Sequence, residues 1–147
     1  IVLVAVDLRP GLEELRNGLL EAAVSALANM PGARLACLNV MQTSLVAIDE
    51  NVNAAGENIH VRRMAELRRW AQPLNLPRGK ITYHLVESRS VVAGILDFAR
   101  SNRVAHVVIG APPSTVAAAS RRTTQIMAEA PCSVTVVRVP DAQQRQE

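Results

Sequence analysis

Five short apolar runs alternate with four segments of helical periodicity along this chain, and that alternation limits the folds open to it. The runs lie at residues 1–6, 34–40, 80–86, 104–109 and 133–139. The first helical segment repeats apolar residues at spacings of three and four from Leu12 to Met30. Strands that alternate with helices form parallel sheets with helices on both faces. We therefore predict one doubly wound, Rossmann-like α/β domain over residues 1–140, followed by a polar tail at residues 141–147.

The apolarity of the individual runs predicts the strand order. The first and fourth runs are almost wholly apolar, as in strands buried on both faces of a sheet. The third run alternates Ile81, Tyr83 and Leu85 with polar residues, as in an edge strand. Right-handed crossovers then favour an open five-stranded parallel sheet in the order 3-2-1-4-5, with four helices. In such a sheet a ligand crevice opens at the carboxyl ends of strands one and four, where Asp7 and Gly110 fall.

Composition excludes several classes of protein. No apolar run approaches the roughly 20 residues that a membrane-spanning helix needs, so we expect no membrane insertion. We also expect no signal peptide, because the opening run is short and leads straight into Asp7. The two cysteines, Cys37 and Cys132, are interpreted as small buried hydrophobic residues. These features predict a cytoplasmic protein.

The net charge of +3 does not by itself indicate a nucleic-acid partner. The densest basic group is interleaved with Glu66 on one predicted helix, as on a solvated helix face. Its members are Arg62, Arg63, Arg68 and Arg69. We predict no binding to nucleic acid.

The segment after the fourth strand has the architecture of a phosphate site without its glycine-rich loop. The strand runs into Gly110, a loop and an alanine-rich helix, whose N-terminus offers unpaired N–H groups. The loop contains Pro112 and Pro113, each of which removes a backbone donor, and it contains no further glycine. The alternative is that side chains supply the missing donors. These would come from Ser114, Thr115, Ser120 and either Arg121 or Arg122.

Several segments resemble the universal stress protein family, and the resemblance covers essentially the whole chain. They include VAVD at residues 4–7, VVIG at 107–110 and, most specific of the three, APCSVTVVR at 130–138. Family members that bind ATP carry the pattern G-x-x-G-x9-G-[ST] between strand four and helix four. In this chain Pro112, Pro113 and Ser114 stand at the loop glycines, and Ser120-Arg121 stands at the final pair. The chain therefore resembles the members that lack the ATP-binding glycine motif.

The resemblance implies a weak or vestigial nucleotide site at the crevice. Its residues would be Val6, Asp7, Val40, Gly110, Ser120 and Arg121. Asp7 has two open interpretations: a contact to the ribose or adenine of a nucleotide, or a cap on the following loop or helix. We expect no cofactor, and ATP binding through a variant phosphate loop is the alternative.

No constellation of residues predicts catalysis or a metal site. His106 lies within a buried run and is interpreted as a hydrogen-bonded core residue. His60 and His84 have no cysteine or second histidine at metal-ligand spacing. No Ser-His-Asp or Cys-His pairing follows from the spacing. We predict a non-enzymatic regulatory or interaction module of the stress response. The alternatives are an ATP-binding stress protein and an enzyme of the wider adenine-nucleotide hydrolase-like group.

The fifth run predicts a homodimer. In the order 3-2-1-4-5 it is an edge strand, and it stays apolar from Ser133 to Val139 with Arg138 as its only charge. Unprotected edges of this kind pair with other chains, most often about a twofold axis. The family resemblance implies the same dimer, and it also implies fusion to, or partnership with, a signalling or transport protein.

Overall fold

One parallel sheet with helices on both faces organises the chain. A computed structural model describes residues 1–43, 58–111 and 117–139, and for residues 117–120 it describes the backbone alone. The strands are β1 (Val2–Ala5), β2 (Leu35–Gln42), β3 (Ile81–Ser88), β4 (His106–Ala111) and β5 (Ser133–Arg138). The helices are α1 (Glu13–Asn29), α2 (Ile59–Ala71), α3 (Val91–Ser101) and α4 (Ala117–Glu129), with short 3₁₀ turns at Gln72–Leu74 and Arg78–Lys80.

The strand order is β3-β2-β1-β4-β5, which confirms the predicted topology. All four strand pairs are parallel, and Leu3 in the central strand lies between Ala36 of β2 and Val107 of β4. The winding reverses between β1 and β4, so the crevice expected for a doubly wound sheet falls at their carboxyl ends.

Some strands end later than the predicted apolar runs, because hydrogen bonding between neighbouring strands continues beyond the apolar residues. The β2–β3 ladder continues as far as Gln42 opposite Ser88, although both residues are polar. Lys80 closes a 3₁₀ turn, so β3 begins one residue later than expected. Strand β4 begins only at His106 but extends past Gly110, because Gly110 and Ala111 pair with Val137 and Arg138.

Local capping sets the start of two helices. Ser90 caps α3, where its hydroxyl accepts a hydrogen bond from the Ala93 N–H at 3.2 Å. Two serines, Ser88 and Ser90, precede this helix, and it is Ser90 that caps it. Asn58 caps α2 by accepting from the His60 N–H at 2.9 Å. Each cap satisfies an N–H that has no partner within the first turn of its helix.

The two faces of the sheet bury separate cores because successive strand residues point to opposite sides. Val2 and Val4 of β1 pack with Leu19 of α1 and Leu67 of α2. Leu3, on the other face, belongs to the core built on α3, which also includes Ile126 of α4. In the described ranges, no helix has the length and apolarity to cross a membrane.

Both cysteines are free thiols, and Cys37 is fully buried within β2. Burial raises the pKa of Cys37 to about 12, so the thiol stays protonated and behaves as a small hydrophobic residue. Cys132 precedes β5 by one residue and is half-buried. The polar tail at 141–147 and the proposed end of the domain at residue 140 lie outside the described residues.

Candidate functional site

A cavity of about 310 Å³ opens at the carboxyl ends of the central strands, at the predicted crevice. Its deepest wall is aliphatic, and no residue of this apolar floor is more than 5% exposed. The apolar floor consists of Leu15, Leu19, Leu38, Ile95, Ile109 and Ile126. Seven polar residues complete the described wall, and two of them, Asn39 and Thr123, are as buried as the apolar floor; the other five are Asp7, Arg9, Gln42, Arg63 and Arg122.

Gly110 contributes to the cavity by having no side chain. A Cβ atom at this position would lie 2.9 to 3.0 Å from three side-chain carbons of Leu15. Glycine thus lets Leu15 of α1 pack directly against β4 and complete the apolar floor. Gly110 is not among the glycines with positive φ, so close packing, rather than an unusual backbone conformation, accounts for the residue here.

Asp7, at the mouth of the cavity, is held by Arg9. The Arg9 Nη2 donates to Asp7 Oδ2 at 2.6 Å, and the Arg9 Nε lies 3.0 Å from both carboxylate oxygens. The Arg9 backbone N–H also donates to Oδ1, at 3.0 Å. Asp7 thus accepts hydrogen bonds from both the side chain and the backbone of Arg9, as expected for a cap on the loop that follows β1.

The Arg9 interaction also fixes the charge of Asp7. Burial raises the pKa of the carboxyl, but the hydrogen bonds and charge of Arg9, with a further contribution from Arg16, outweigh burial and lower the pKa below its ordinary value. Asp7 is therefore ionised at neutral pH. A general base works best with a pKa near the operating pH, so Asp7 is a poor candidate for that role.

Arg16 and Trp70 immobilise the same loop from two helices. The Arg16 Nη1 donates to the carbonyl oxygens of Asp7 at 3.0 Å and of Arg9 at 2.9 Å. Trp70 of α2 in turn donates its indole N–H to the Arg16 carbonyl oxygen at 2.9 Å. The loop between β1 and α1 is thus tied to α1 by a guanidinium, and α1 is tied to α2 by an indole.

A buried amide connects β1 to an arginine in the cavity wall. Asn39 of β2 is 3% exposed, and its Nδ2 donates to the Val6 carbonyl oxygen at 2.8 Å. Its Oδ1 accepts from Arg63 Nη1 at 3.2 Å. Because both ends of the amide are engaged, Asn39 sets the position of the half-buried Arg63 guanidinium.

The predicted site residues are only partly brought together. Val6, Asp7, Val40 and Gly110 all line the cavity. Arg121 is exposed on α4 and is not part of the cavity wall, whereas its neighbour Arg122 is. The side chain of Ser120, and the loop residues Pro112, Pro113, Ser114 and Thr115, lie outside what the structure describes.

His106 was interpreted from the sequence as a hydrogen-bonded core residue, and the structure tests that interpretation. His106 lies at the start of β4, half-buried, with its Nε2 2.7 Å from the Thr135 hydroxyl of β5. This confirms a hydrogen-bonded histidine within the sheet. In the described ranges no group of three or more His, Cys, Asp or Glu residues could hold a metal ion.

Sequence reasoning missed four residues of the site: Arg9, Asn39 and Arg63 line the cavity, and Arg16 holds the loop beside it. One signal was present, since Asn39 is the single polar residue in the otherwise apolar run at 35–41 and falls near the carboxyl end of its strand. The described wall thus offers guanidinium donors above an aliphatic surface, and Asp7 is the one carboxylate that it contains.

Solved structures with the same fold were found at low sequence identity. Universal stress protein UspA from Lactobacillus plantarum is 19% identical, with 93% of this chain and 96% of that chain covered and a TM-score of 0.63. A universal stress protein from Archaeoglobus fulgidus is 16% identical, with coverage of 92% and 91% and a TM-score of 0.61. A universal stress protein in complex with cAMP is 14% identical, with coverage of 92% and 94% and a TM-score of 0.61.

These likenesses establish the fold alone, and a search of curated protein sequences found no match. The family comparison goes further, since the model of the Universal stress protein family matches residues 1–138. That match spans all five strands and all four helices in their observed order. The chain therefore belongs to the universal stress protein family.

Proposed function

We propose that this universal stress protein domain is a non-enzymatic regulatory or interaction module that binds nucleotides weakly or not at all. The observation that carries the proposal is the pairing of Asp7 with Arg9. A ribose hydroxyl or an adenine amino group would have to compete with Arg9 for this carboxylate. Pro112 and Pro113 support the same conclusion, because each removes a backbone donor from the loop where family members that bind ATP have glycines.

The absence of catalysis is proposed from the chemistry of the cavity wall. Its one carboxylate has a lowered pKa and is fully engaged by Arg9. The wall contains no histidine, cysteine or lysine among its described residues. Asp7 is thus the one candidate base among the described wall residues, and its pairing with Arg9 leaves it poorly suited to activate a nucleophile. A cytoplasmic location, a single domain ending near residue 140, and a fused or separate signalling or transport partner belong to the same proposal.

Calorimetric titration with Mg-ATP and, separately, with cAMP tests the nucleotide part. Cyclic AMP is included because one structural neighbour was solved in complex with it. We expect no saturable heat with either nucleotide up to millimolar concentration. Saturation in the micromolar range would contradict the proposal, because it would require an energetically easy displacement of Arg9 from Asp7.

ATP binding through a variant loop is the second candidate, and Arg122 in the cavity wall is the observation that favours it. In that case a guanidinium side chain replaces the backbone donors that the prolines remove. If nucleotide binding is detected, replacing Arg121 and Arg122 together with alanine should abolish it. The exposed Arg69 of α2 provides a control: Arg69→Ala should leave the affinity unchanged.

We also propose a homodimer through β5, an edge strand of the sheet. The valines of β5 are largely committed to the two cores: Val134 and Val136 pack on the α3 side and Val137 packs on the α1 side. The partner chain would therefore be held mainly by backbone hydrogen bonds along the edge. Two antiparallel copies of β5 about a twofold axis supply these bonds reciprocally.

Val139→Lys tests this dimer with little damage to the fold, because Val139 is half-buried and is not part of either core. A lysine directly after the last residue of an edge strand opposes pairing with a second copy. We expect size-exclusion chromatography with light scattering to show a dimer for the parent and a monomer for the variant. Val24→Lys, at an exposed position of α1, should stay dimeric. A parent that is monomeric at tens of micromolar would overturn the dimer.

A further inference from the structure

The cavity combines a largely aliphatic buried wall, in which Asn39 and Thr123 are the buried polar residues, with three more exposed arginines, Arg9, Arg63 and Arg122. All six residues of the apolar floor are leucine or isoleucine, and the described wall contains no aromatic ring on which a base could stack. Its volume of about 310 Å³ is at the small end of the range, roughly 300–1,000 Å³, that small-molecule sites occupy. A small ligand with an aliphatic body is the chemistry that this interior can bury.

Arg63 supplies a guanidinium that is already oriented. Its hydrogen bond in the described chain runs from Nη1 to the buried Asn39 amide, which leaves the edge formed by Nε and Nη2 available for a ligand. That edge presents two parallel N–H donors, the geometry that matches a planar carboxylate. The amide holds Arg63 without neutralising it, because asparagine carries no charge.

The mouth of the cavity carries positive charge. Arg9 is neutralised by Asp7, and Arg16 lies 3.4 Å from Glu13. Within the described residues, no ion pair joins Arg63 or Arg122 to a carboxylate. Two guanidinium groups of the cavity wall are therefore not neutralised by any carboxylate in the described ranges, which favours an anion.

We propose that the cavity binds a small aliphatic carboxylate, with its chain on the apolar floor and its carboxylate on the Nε–Nη2 edge of Arg63. Asn39 acts as the positioning residue for that guanidinium. A nucleotide fits this arrangement less well, because the Asn39 amide already bonds Val6 and Arg63 and the Asp7 carboxylate already bonds Arg9. This inference rests on the proposed function only in placing the ligand at the same cavity.

A matched series of eight-carbon probes on the unmodified protein tests the charge and the body of the ligand separately. Octanoate, 1-octanol and octylammonium share the chain and differ in the head group, while acetate retains the head without the chain. We expect calorimetry to show octanoate binding about tenfold or more tighter than 1-octanol or octylammonium, with no detectable binding of acetate. Octanol or octylammonium binding as well as octanoate, or no binding of octanoate, would overturn the proposal.

Arg63→Gln then tests the anchor, with Arg69→Gln on the exposed part of the same helix as the control. We expect Arg63→Gln to weaken octanoate binding to the level of octanol, while Arg69→Gln keeps the parent affinity. If the parent, Arg63→Gln and Arg69→Gln bind octanoate with equal affinity, Arg63 does not contact the carboxylate and the assignment is refuted. The probe series on the parent keeps the proposal testable even if Arg63→Gln does not fold. If neither octanoate nor Mg-ATP binds, this inference is refuted, whereas the proposed function is not.

Discussion

Replacing Leu67 with alanine should lower the free energy of unfolding by about 2–5 kcal/mol. Leu67 is fully buried, and it and Ala71 are the buried residues of α2. Truncating a leucine in a packed core loses its transfer free energy and leaves a void that the neighbours fill only in part. Since α2 also carries Arg63 and Trp70, loosening its contact with the sheet should weaken the arrangement at the mouth of the cavity as well.

Val61→Ala is the matched control for this variant, because it removes aliphatic carbons from a position on the same helix that is 68% exposed. We expect its effect to stay within about 0.5 kcal/mol. Urea denaturation followed by circular dichroism gives both values under one set of conditions. A loss at Leu67 no larger than that at Val61 would show that α2 is not held to the sheet as described.

Replacing Asn39 with leucine should cost about 1–3 kcal/mol of stability and should also disable Arg63. The change removes the donor to the Val6 carbonyl oxygen and the acceptor for Arg63 Nη1, both at a site that is 3% exposed. A buried carbonyl that loses its partner incurs the desolvation penalty in full. Because Arg63 keeps its charge but loses its orientation, the affinity for octanoate should fall in the folded variant.

Gln42→Leu provides the comparison for Asn39→Leu, since Gln42 lies on the same strand and also bonds a backbone carbonyl, that of Arg89. Its amide is exposed, so water can replace it, and we expect a change within about 0.5 kcal/mol. Chemical denaturation and octanoate calorimetry on both variants check the prediction. An Asn39→Leu protein that is as stable as Gln42→Leu and binds octanoate like the parent would show that the amide positions nothing.

The fold could be predicted from the sequence because its signals are local and repeated. Each strand is an apolar run, and the weaker apolarity of the run around Tyr83 correctly identified β3 as an edge strand. Strand ends were harder to predict, because Gly110 and Ala111 stay in β4 through pairing with β5 rather than through their own side chains. The serine cap of α3 was predictable as a residue type, and the structure assigns it to Ser90.

The candidate site was predicted in position but not in chemistry. The topology placed Asp7 and Gly110 at the crevice, where they are found. The contact between Asn39 and Arg63 joins a strand to a helix 24 residues away, and no local pattern encodes that distance. Arg122, rather than Arg121, lines the cavity because one residue turns a helix by about 100°, so the facing residue depends on how α4 is rotated.

For Gly110, the sequence predicted the correct position in the fold but a different role from the one that the structure shows. Sequence reasoning associated it with a phosphate loop, since it follows a buried strand and precedes a helix. The structure gives it a packing role instead, because a Cβ atom would collide with Leu15 of α1. That contact depends on the approach of α1 to β4, which no property of Gly110 or its sequence neighbours reveals.

Two-dimensional amide NMR during a titration with Mg-ATP tests the central claim most directly, because it reports on the crevice itself. The signals to follow are the backbone N–H groups of Asp7 and Gly110 and the side-chain amide of Asn39. We predict that none of the three shows a saturable change up to millimolar nucleotide, since Arg9 is paired with Asp7 and the Asn39 amide is bonded to Val6 and Arg63. Saturable shifts of all three signals with a micromolar midpoint would contradict the account, because a nucleotide would then be displacing Arg9 and occupying the crevice.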